Sequence, residues 1–183
     1  MGLADALAQK QQSIVKQWFQ RVSDTYPPDT SQFLRSRQDP FANPVGQSLR
    51  SGLKVLVEEI CGAMHAETIR KHLDPIIRIR AVQNFTPTEA TGFIQLLKPI
   101  VRDALTAELR QGSQYKSLLE LEDRIDTIQL TAFDIYMQCR EKIYDLKANV
   151  ERSTVYSAFR RAGLVDDEPE ASDTPENHQI PSI

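Results

Sequence analysis

Residues 114 to 160 contain neither proline nor glycine and are rich in residues that favour the α-helix. Their apolar side chains recur at steps of three and four, which is typical of one face of a long amphipathic helix. These positions are Leu118, Leu121, Ile125, Ile128, Ala132, Ile135, Cys139, Ile143, Leu146 and Val150. A helix of this length spans about 70 Å, at roughly 1.5 Å per residue, which is more than one small core covers.

The surplus length predicts that part of the long helix packs against a second copy of the chain. Two copies related by a two-fold axis bring the same helix face together. The step of four from Cys139 to Ile143 is a stutter, which locally unwinds a coiled coil. The predicted dimer face contains Leu121, Ile128, Ile135, Ile143 and Leu146.

A corner between two helices is predicted within residues 76–105. Thr86 can cap a helix with its hydroxyl, Pro87 suits the first helical position, and Glu89 completes a Thr-x-x-Glu capping box. The acid also lies favourably at the positive end of the helix dipole. We therefore predict a helix over 87–110, with a kink at Pro99.

The segment before this corner, residues 66–84, also predicts a helix. Its β-branched run from Ile76 to Val82 could form a strand, but the apolar residues do not alternate cleanly with polar ones. Asp74 and Pro75 resemble a helix cap followed by the first helical residue. The helix is therefore expected to break or kink at Pro75.

The first half of the chain predicts two further amphipathic helices. The first covers residues 2–24. The second begins at Asn43–Pro44, a cap followed by a proline, and runs to residue 64. Gly46 and Gly52 each weaken this helix by about 1 kcal/mol relative to alanine. Their presence favours a close crossing with another helix, and a ligand that reaches the backbone is the alternative.

Arg78 and Arg80 lie among apolar residues before the corner, so at least one guanidinium must lie near apolar surface. One interpretation is structural: the side chain snorkels or pairs with an acid such as Asp134 or Asp145. The other interpretation is an anion or partner site. An inward Arg80 would have to be met by an acid or by the carbonyls that end its helix, and Asp134 is the first candidate.

Composition is that of an ordinary soluble domain, with 40% hydrophobic and 26% charged residues. No apolar run approaches the ~20 residues that cross a bilayer. The first residues lack the pattern of a signal peptide. We therefore expect a cytoplasmic protein without membrane insertion.

Charge divides the chain into two parts. Residues 164–183 hold six acidic residues and no Lys or Arg, whereas the rest of the chain has three more basic than acidic residues. A weakly positive body with an acidic tail does not match a nucleic-acid binder. The tail composition predicts disorder.

No catalytic or metal-binding motif occurs in the sequence. His65, His72 and His178 lack the spacing of metal ligands, and Cys61 and Cys139 are isolated. We therefore predict no enzyme, no metal site and no other cofactor. An alternative is a haem bound by His72 in a globin-like pocket.

The string RAVQNFTPTEATGFIQLLK at residues 80–98 resembles the signature of the N-terminal domain of RsbRD-type RsbT co-antagonist proteins. Arg80, Gln83 and Thr86 belong to this string. The resemblance covers about residues 10–150, because further pieces follow in the family's order. They are Trp18 with Arg21, Tyr26-Pro27, Asn43-Pro44-Val45-Gly46, Arg124-Ile125-Asp126, Ala132-Phe133-Asp134-Ile135-Tyr136 and Arg140-Glu141-Lys142-Ile143-Tyr144.

The resemblance implies an all-α sensory or regulatory domain without enzymatic activity. In stressosome proteins such a domain precedes a STAS domain that binds a switch kinase, and related sensory domains are dimeric, non-haem and globin-like. We expect no STAS domain after the long helix here, and therefore a module that senses a signal or docks an unknown regulatory protein. The candidate coupling or partner site contains Arg78, Arg80, Gln83, Thr86 and Asp134.

The sequence thus predicts an all-α multi-helix bundle in residues 1–163, with a globin-like arrangement as one option and a long C-terminal helix. Residues 164–183 are predicted to form a disordered acidic tail. Two other functions stay open. One is a globin-like protein that binds a small molecule or haem, and the other is an accessory protein of a redox enzyme complex.

Overall fold

The computed structural model describes residues 2–36, 42–83, 85–110 and 114–164, which form helices and turns without a β-strand. The predicted all-α bundle with a long C-terminal helix is confirmed. The helices are α1 (Leu3–Gln9), α2 (Gln11–Ser23), α3 (Pro28–Ser36), α4 (Pro44–Cys61), α5 (Ala66–Val82), α6 (Pro87–Thr91), α7 (Leu97–Ala104), α8 (Thr106–Leu109) and α9 (Tyr115–Arg161). A short 3-10 helix, Gly92–Ile94, lies between α6 and α7.

The chain divides into two compact units, Met1–Lys142 and Ile143–Ile183. In the first unit, α4 packs against α1, α2 and α5, while α2 also contacts α3 and α7. Trp18 lies fully buried on α2, and its indole Nε1 donates a hydrogen bond of 2.8 Å to the Phe93 carbonyl. This bond joins the first long helix to the segment after α6.

Two of the predicted helix starts are confirmed by their side-chain caps. Asn43 Oδ1 accepts a hydrogen bond of 2.8 Å from the Gly46 amide at the start of α4. At α6, the Thr86 hydroxyl accepts from the Glu89 amide at 3.3 Å, and a Glu89 carboxylate oxygen accepts from the Thr86 amide at 2.9 Å. These bonds satisfy amides that have no partner within their own helix.

Other predicted boundaries are wrong. The helix expected over 2–24 breaks at Lys10, whose ammonium donates to the Ala104 carbonyl and pairs with Glu108, each at 2.7 Å. α5 continues through Pro75 without the break that is one of the two expectations there, because buried apolar residues on both sides hold it against the core. α4 ends at Cys61, three residues before the predicted end.

The helix predicted over 87–110 is divided into α6, the 3-10 helix, α7 and α8. Pro99 lies within the first turn of α7, where a residue without an amide hydrogen is tolerated. The tail from residue 165 onward, which is predicted to be disordered, lies outside the described residues. The domain boundary after residue 163 stays a prediction.

The apolar stripe of α9 belongs to the core within the first unit. Leu121, Ile128 and Ile135 are all buried in the same hydrophobic cluster as the residues of α2, α4 and α5. This placement corrects their assignment to a dimer face, because their side chains are already covered by the chain's own helices. The stripe fills a core that the sequence pattern alone could not distinguish from an interface.

In the second unit, none of the described residues, 143–164, is buried. Ile143 is half-buried, and Leu146 and Val150 are 65% and 64% exposed. Val155, Tyr156 and Phe159 are also exposed large apolar residues. Across the part of the chain that the structure describes, no helix combines the length and apolar character needed to span a membrane.

Gly52 explains how closely α4 and α5 cross. A Cβ atom at this position would lie 2.8 Å from Ile76 Cδ1 and 3.1 Å from the His72 carbonyl oxygen on α5. The predicted close crossing is therefore confirmed at Gly52. Gly46 has a different role, because a Cβ there would meet the Asn43 cap at 2.4 Å.

We expect Gly52→Ala to lower the free energy of unfolding by about 1–3 kcal/mol, because the added methyl group overpacks the α4–α5 contact. The backbone carbonyl of His72 cannot rotate away as a side chain could. Urea denaturation measures the effect. Gly92→Ala is the matched control, since a Cβ at Gly92 meets nothing within 4 Å. Equal stability of the two variants would contradict the close crossing.

Candidate functional site

The last turn of α5 points its two arginines in different directions. Positions two apart on a helix differ by about 200°, so one arginine faces the core when the other faces solvent. Arg80 is 0% exposed. Arg78 is half-exposed and its Nε donates to the Asp74 carboxylate one turn earlier, an i,i+4 ion pair that raises the pKa of Arg78.

The Arg80 guanidinium is held by neutral groups. Its Nη2 donates to the Thr25 hydroxyl at 2.9 Å and to the Glu89 carbonyl at 2.8 Å. Three aromatic rings surround it, with centroids 4.4 Å (Phe85), 4.7 Å (Tyr26) and 5.2 Å (Phe93) from Cζ. The negative faces of such rings attract a cation, most strongly where water is excluded.

Two of the Arg80 nitrogen groups, Nε and Nη1, are buried and have no hydrogen-bond acceptor among the described residues. Burial lowers the pKa of Arg80, and Tyr26 and Glu89 oppose this shift. A buried charge without a full set of partners lowers the free energy of unfolding. Buried ionisable groups with a shifted pKa occur both at functional sites and in structural charge networks, so the surroundings of Arg80 decide between the two.

The proposed partner of Arg80, Asp134, lies elsewhere. Asp134 is exposed on α9, and the described contacts of Arg80 are with the α2–α3 connection and with α6. The predicted ion pair is therefore wrong. The Thr25 hydroxyl and the Glu89 carbonyl supply the negative oxygen atoms that a carboxylate was expected to supply.

A cleft of about 560 Å³ lies beside Arg80. One wall comes from the α2–α3 connection and the other from the corner around α6; the lining residues are Thr25, Tyr26, Pro27, Thr30, Gln83, Phe85 and Glu89. Arg80 hydrogen-bonds to Thr25 on one wall and to Glu89 on the other. Its side chain therefore ties the two walls of the cleft together.

The capping box supplies a charge at the edge of this cleft. Hydrogen bonds from the Thr86 amide and hydroxyl lower the pKa of Glu89. The carboxylate is therefore ionised at neutral pH. Gln83, at the end of α5, is exposed and lies in the same cleft. The structure thus brings Arg80, Gln83 and Thr86 together, and leaves Arg78 and Asp134 on the outer surface.

Within the first unit, α9 donates hydrogen bonds to the ends of α4 and α5 and to the connection between α5 and α6. The Tyr136 hydroxyl donates to the Phe85 carbonyl at 2.8 Å, and Arg140 Nη1 donates to the Ala81 carbonyl at 3.3 Å. At the end of α4, Arg124 Nη1 donates to the carbonyls of Ile60 and Gly62, both at 2.8 Å. Carbonyls at helix ends lack partners within their helix, so α9 satisfies groups that would otherwise need water.

Sequence reasoning missed five residues of this site: Thr25, Tyr26, Phe85, Phe93 and Tyr136. Tyr26 and Phe85 form an edge-to-face pair with centroids 5.5 Å apart. Both lie within family-like strings, and that was the available signal. Thr25 and Tyr26 reach Arg80 through contacts between residues more than fifty positions apart, which no local pattern encodes.

Among the described residues, no histidine or cysteine lines the cleft beside Arg80. His72 Nδ1 contacts the Thr68 carbonyl at 2.8 Å, and His65 lies 3.1 Å from Glu59. Burial is the main cause that raises the pKa of Cys61, to about 11, so its thiol is protonated at neutral pH. Among residues 2–36, 42–83, 85–110 and 114–164, no three His, Cys, Asp or Glu side chains cluster as metal ligands.

Arg80→Ala should lower the free energy of unfolding by about 3 kcal/mol or more, because it empties the space between three rings and unpairs two oxygen atoms. Arg80→Met should lower it less, since methionine refills much of the space without a buried charge. Arg78→Ala, the control, should change it by less than about 1 kcal/mol. Chemical denaturation of the three variants measures these differences. Equal effects of Arg78→Ala and Arg80→Ala would refute the burial.

Residues 12–150 match the family described as the RsbT co-antagonist protein rsbRD N-terminal domain. The match includes Arg80, its aromatic neighbours and the part of α9 that reaches Phe85. Neither the curated proteins nor the solved structures compared with the chain give a match. Because the matched residues make up more than half of the sequence, the resemblance is confirmed, and the chain belongs to the RsbT co-antagonist protein rsbRD N-terminal domain family.

Proposed function

We propose that this chain is a non-enzymatic regulatory sensor domain, in which the cleft beside Arg80 receives the signal and α9 carries its effect. Membership of the rsbRD N-terminal domain family supports a regulatory sensor. The lining of the cleft contains one carboxylate, hydroxyls, an amide and aromatic surface. The described residues of its lining include no Ser, Cys or His, which are the side chains most often used as nucleophile and general base.

The observation that carries this proposal is the bridge made by Arg80. Its guanidinium holds Thr25 and Glu89, which lie on opposite walls of the cleft. A molecule or partner group that enters the cleft and changes the distance between the walls would disturb these two bonds. The bridge therefore couples occupancy of the cleft to the position of α6.

The second step of the coupling is the contact between the corner and α9. Phe85 packs its ring against Arg80 and accepts a hydrogen bond from Tyr136 through its carbonyl. Gln129 adds a hydrogen bond of 2.8 Å to the Thr91 hydroxyl at the end of α6. A shift of the corner is thereby transmitted to two consecutive parts of α9.

Hydrogen–deuterium exchange tests the coupling. We expect Arg80→Met to speed amide exchange both in residues 85–93 and in residues 128–139, because loosening the corner loosens the attached part of α9. In the double variant Arg80→Met/Tyr136→Phe, the change in residues 128–139 should not equal the sum of the single changes. Arg78→Met is the matched control. Unchanged exchange of α9 in Arg80→Met would reject the proposed function.

We also propose that the chain acts as a homodimer through the second unit. An isolated helix that exposes Leu146, Val150 and Val155 is marginal in water, and burial against an identical helix would stabilise it. Ile143 and Leu146 keep their place in the predicted dimer face. Leu121, Ile128 and Ile135 no longer belong to this predicted face, because they are buried in the core of the first unit. The regulatory protein partner and the cytoplasmic location stay predictions.

Leu146→Glu/Val150→Glu should convert the dimer to a monomer at tens of micromolar, because it places two charges at the centre of an apolar contact. Analytical ultracentrifugation measures the mass. Asn149→Glu adds a charge at an exposed polar position of the same helix and should leave the dimer intact. A monomeric wild-type chain at this concentration would exclude the homodimer.

A further inference from the structure

A groove of about 810 Å³ lies between α2 and α4, away from the corner. Gln12 and Lys16 line it from α2, one helical turn apart. Gln47, Arg50 and Lys54 line it from α4 at steps of three and four, so they also share one helix face. Two polar rows therefore face each other across the groove.

The groove carries an excess of positive charge. Its lining contains three cations, Lys16, Arg50 and Lys54, and one acid, Glu58. Lys54 lies 3.8 Å from Glu58, which is a loose and exposed pair. Within the described part of the chain, no salt bridge joins Lys16 or Arg50 to an acid. A ligand with carboxylate groups would therefore meet two cations that are not engaged in ion pairs.

Arg50 is held in place for such a contact. Its Cζ atom lies 3.7 Å from the centroid of the buried Phe19 ring, so the guanidinium is stacked on an aromatic face. Partial burial lowers the pKa of Arg50. A guanidinium that stacks through its face keeps its N–H groups at the edge, where they can bind a carboxylate through two hydrogen bonds.

The remaining lining suits a peptide backbone. Gln12 and Gln47 are exposed, and each amide can both donate and accept a hydrogen bond, as an extended peptide does. Val15 adds apolar surface beside Phe19. A nucleic acid would require a longer basic surface, because phosphate contacts supply most of its binding energy. The combination of amides, an apolar floor and two free cations favours an acidic polypeptide.

We propose that the groove between α2 and α4 binds an acidic, extended peptide segment of a partner protein. Carboxylates of the segment contact Arg50 and Lys16, and an apolar side chain lies over Val15. The groove contains no residue of the cleft beside Arg80. The proposal extends the proposed regulatory function by giving the partner a chemical class, yet its test does not depend on Arg80.

Fluorescence anisotropy tests this proposal on the full chain. The probe is a fluorescein-labelled, Glu-rich decapeptide with one central Leu, and its counterpart has Gln at every Glu position. We expect the acidic probe to bind with a Kd of about tens of micromolar and the Gln peptide to bind at least tenfold more weakly. Higher salt should weaken binding of the acidic probe, because the cations are exposed.

Two single substitutions test whether the acidic probe binds in the groove between α2 and α4. Arg50→Gln and Lys16→Gln should each weaken the acidic probe about fivefold, with thermal unfolding used to verify that each variant is folded. Lys16 is exposed, so its variant tests the groove even if Arg50→Gln is unstable. Lys116→Gln, with a side chain 90% exposed at the start of α9, is the control and should bind as the wild type does.

Three outcomes would overturn the proposal. They are equal binding of the acidic and Gln peptides, wild-type affinity in both groove variants, and an oligothymidylate that binds tighter than the peptide and competes with it. Arg80→Met should keep full affinity for the probe. A failure of the coupling through Arg80 is therefore distinguishable from a failure of the groove.

Discussion

Three aromatic rings enclose the guanidinium of Arg80, which has no carboxylate hydrogen-bond partner among the described residues. This buried cation determines how the corner of the domain is built. Arg80 reaches from the end of α5 to the α2–α3 connection and to α6, and these three segments are held together through its hydrogen bonds. The aromatic faces replace the acid that a buried cation ordinarily requires. The capping box at Thr86 fixes the Glu89 carbonyl that Arg80 contacts, so the local cap and the long-range contact depend on each other.

The apolar stripe of α9 is continuous in the sequence, but it lies in two different environments in the structure. Up to Lys142 its apolar stripe completes the core, and its polar side chains satisfy the carbonyl groups at the ends of α4 and α5. Beyond Ile143 the same stripe is exposed. An apolar residue at a three- or four-residue step is compatible with either environment. The pattern therefore predicts the helix and its apolar face, and the surrounding helices decide what covers that face.

Local chemistry made much of the fold predictable. Asn43 and Thr86 start helices through bonds to residues three positions away, and such bonds can be read from the sequence. The break at Lys10 could not be read, because it accompanies contacts with Ala104 and Glu108 far along the chain. The inward direction of Arg80 follows from its apolar neighbours, whereas its true partners, Thr25 and the Glu89 carbonyl, required the tertiary structure. Asp134 lies on the exposed face of α9, so it does not pair with Arg80.

The close crossing at Gly52 also determines which side chain the contact between α4 and α5 can accept. Backbone and side-chain atoms of α5 leave no space for even a methyl group there, so a larger residue would push α5 away from α4. Gly92 is the opposite case, since the position of its missing side chain is empty. A methyl group at Gly92, which follows the five-residue α6, would therefore displace no neighbour. Packing thus requires a glycine at Gly52 and does not require one at Gly92.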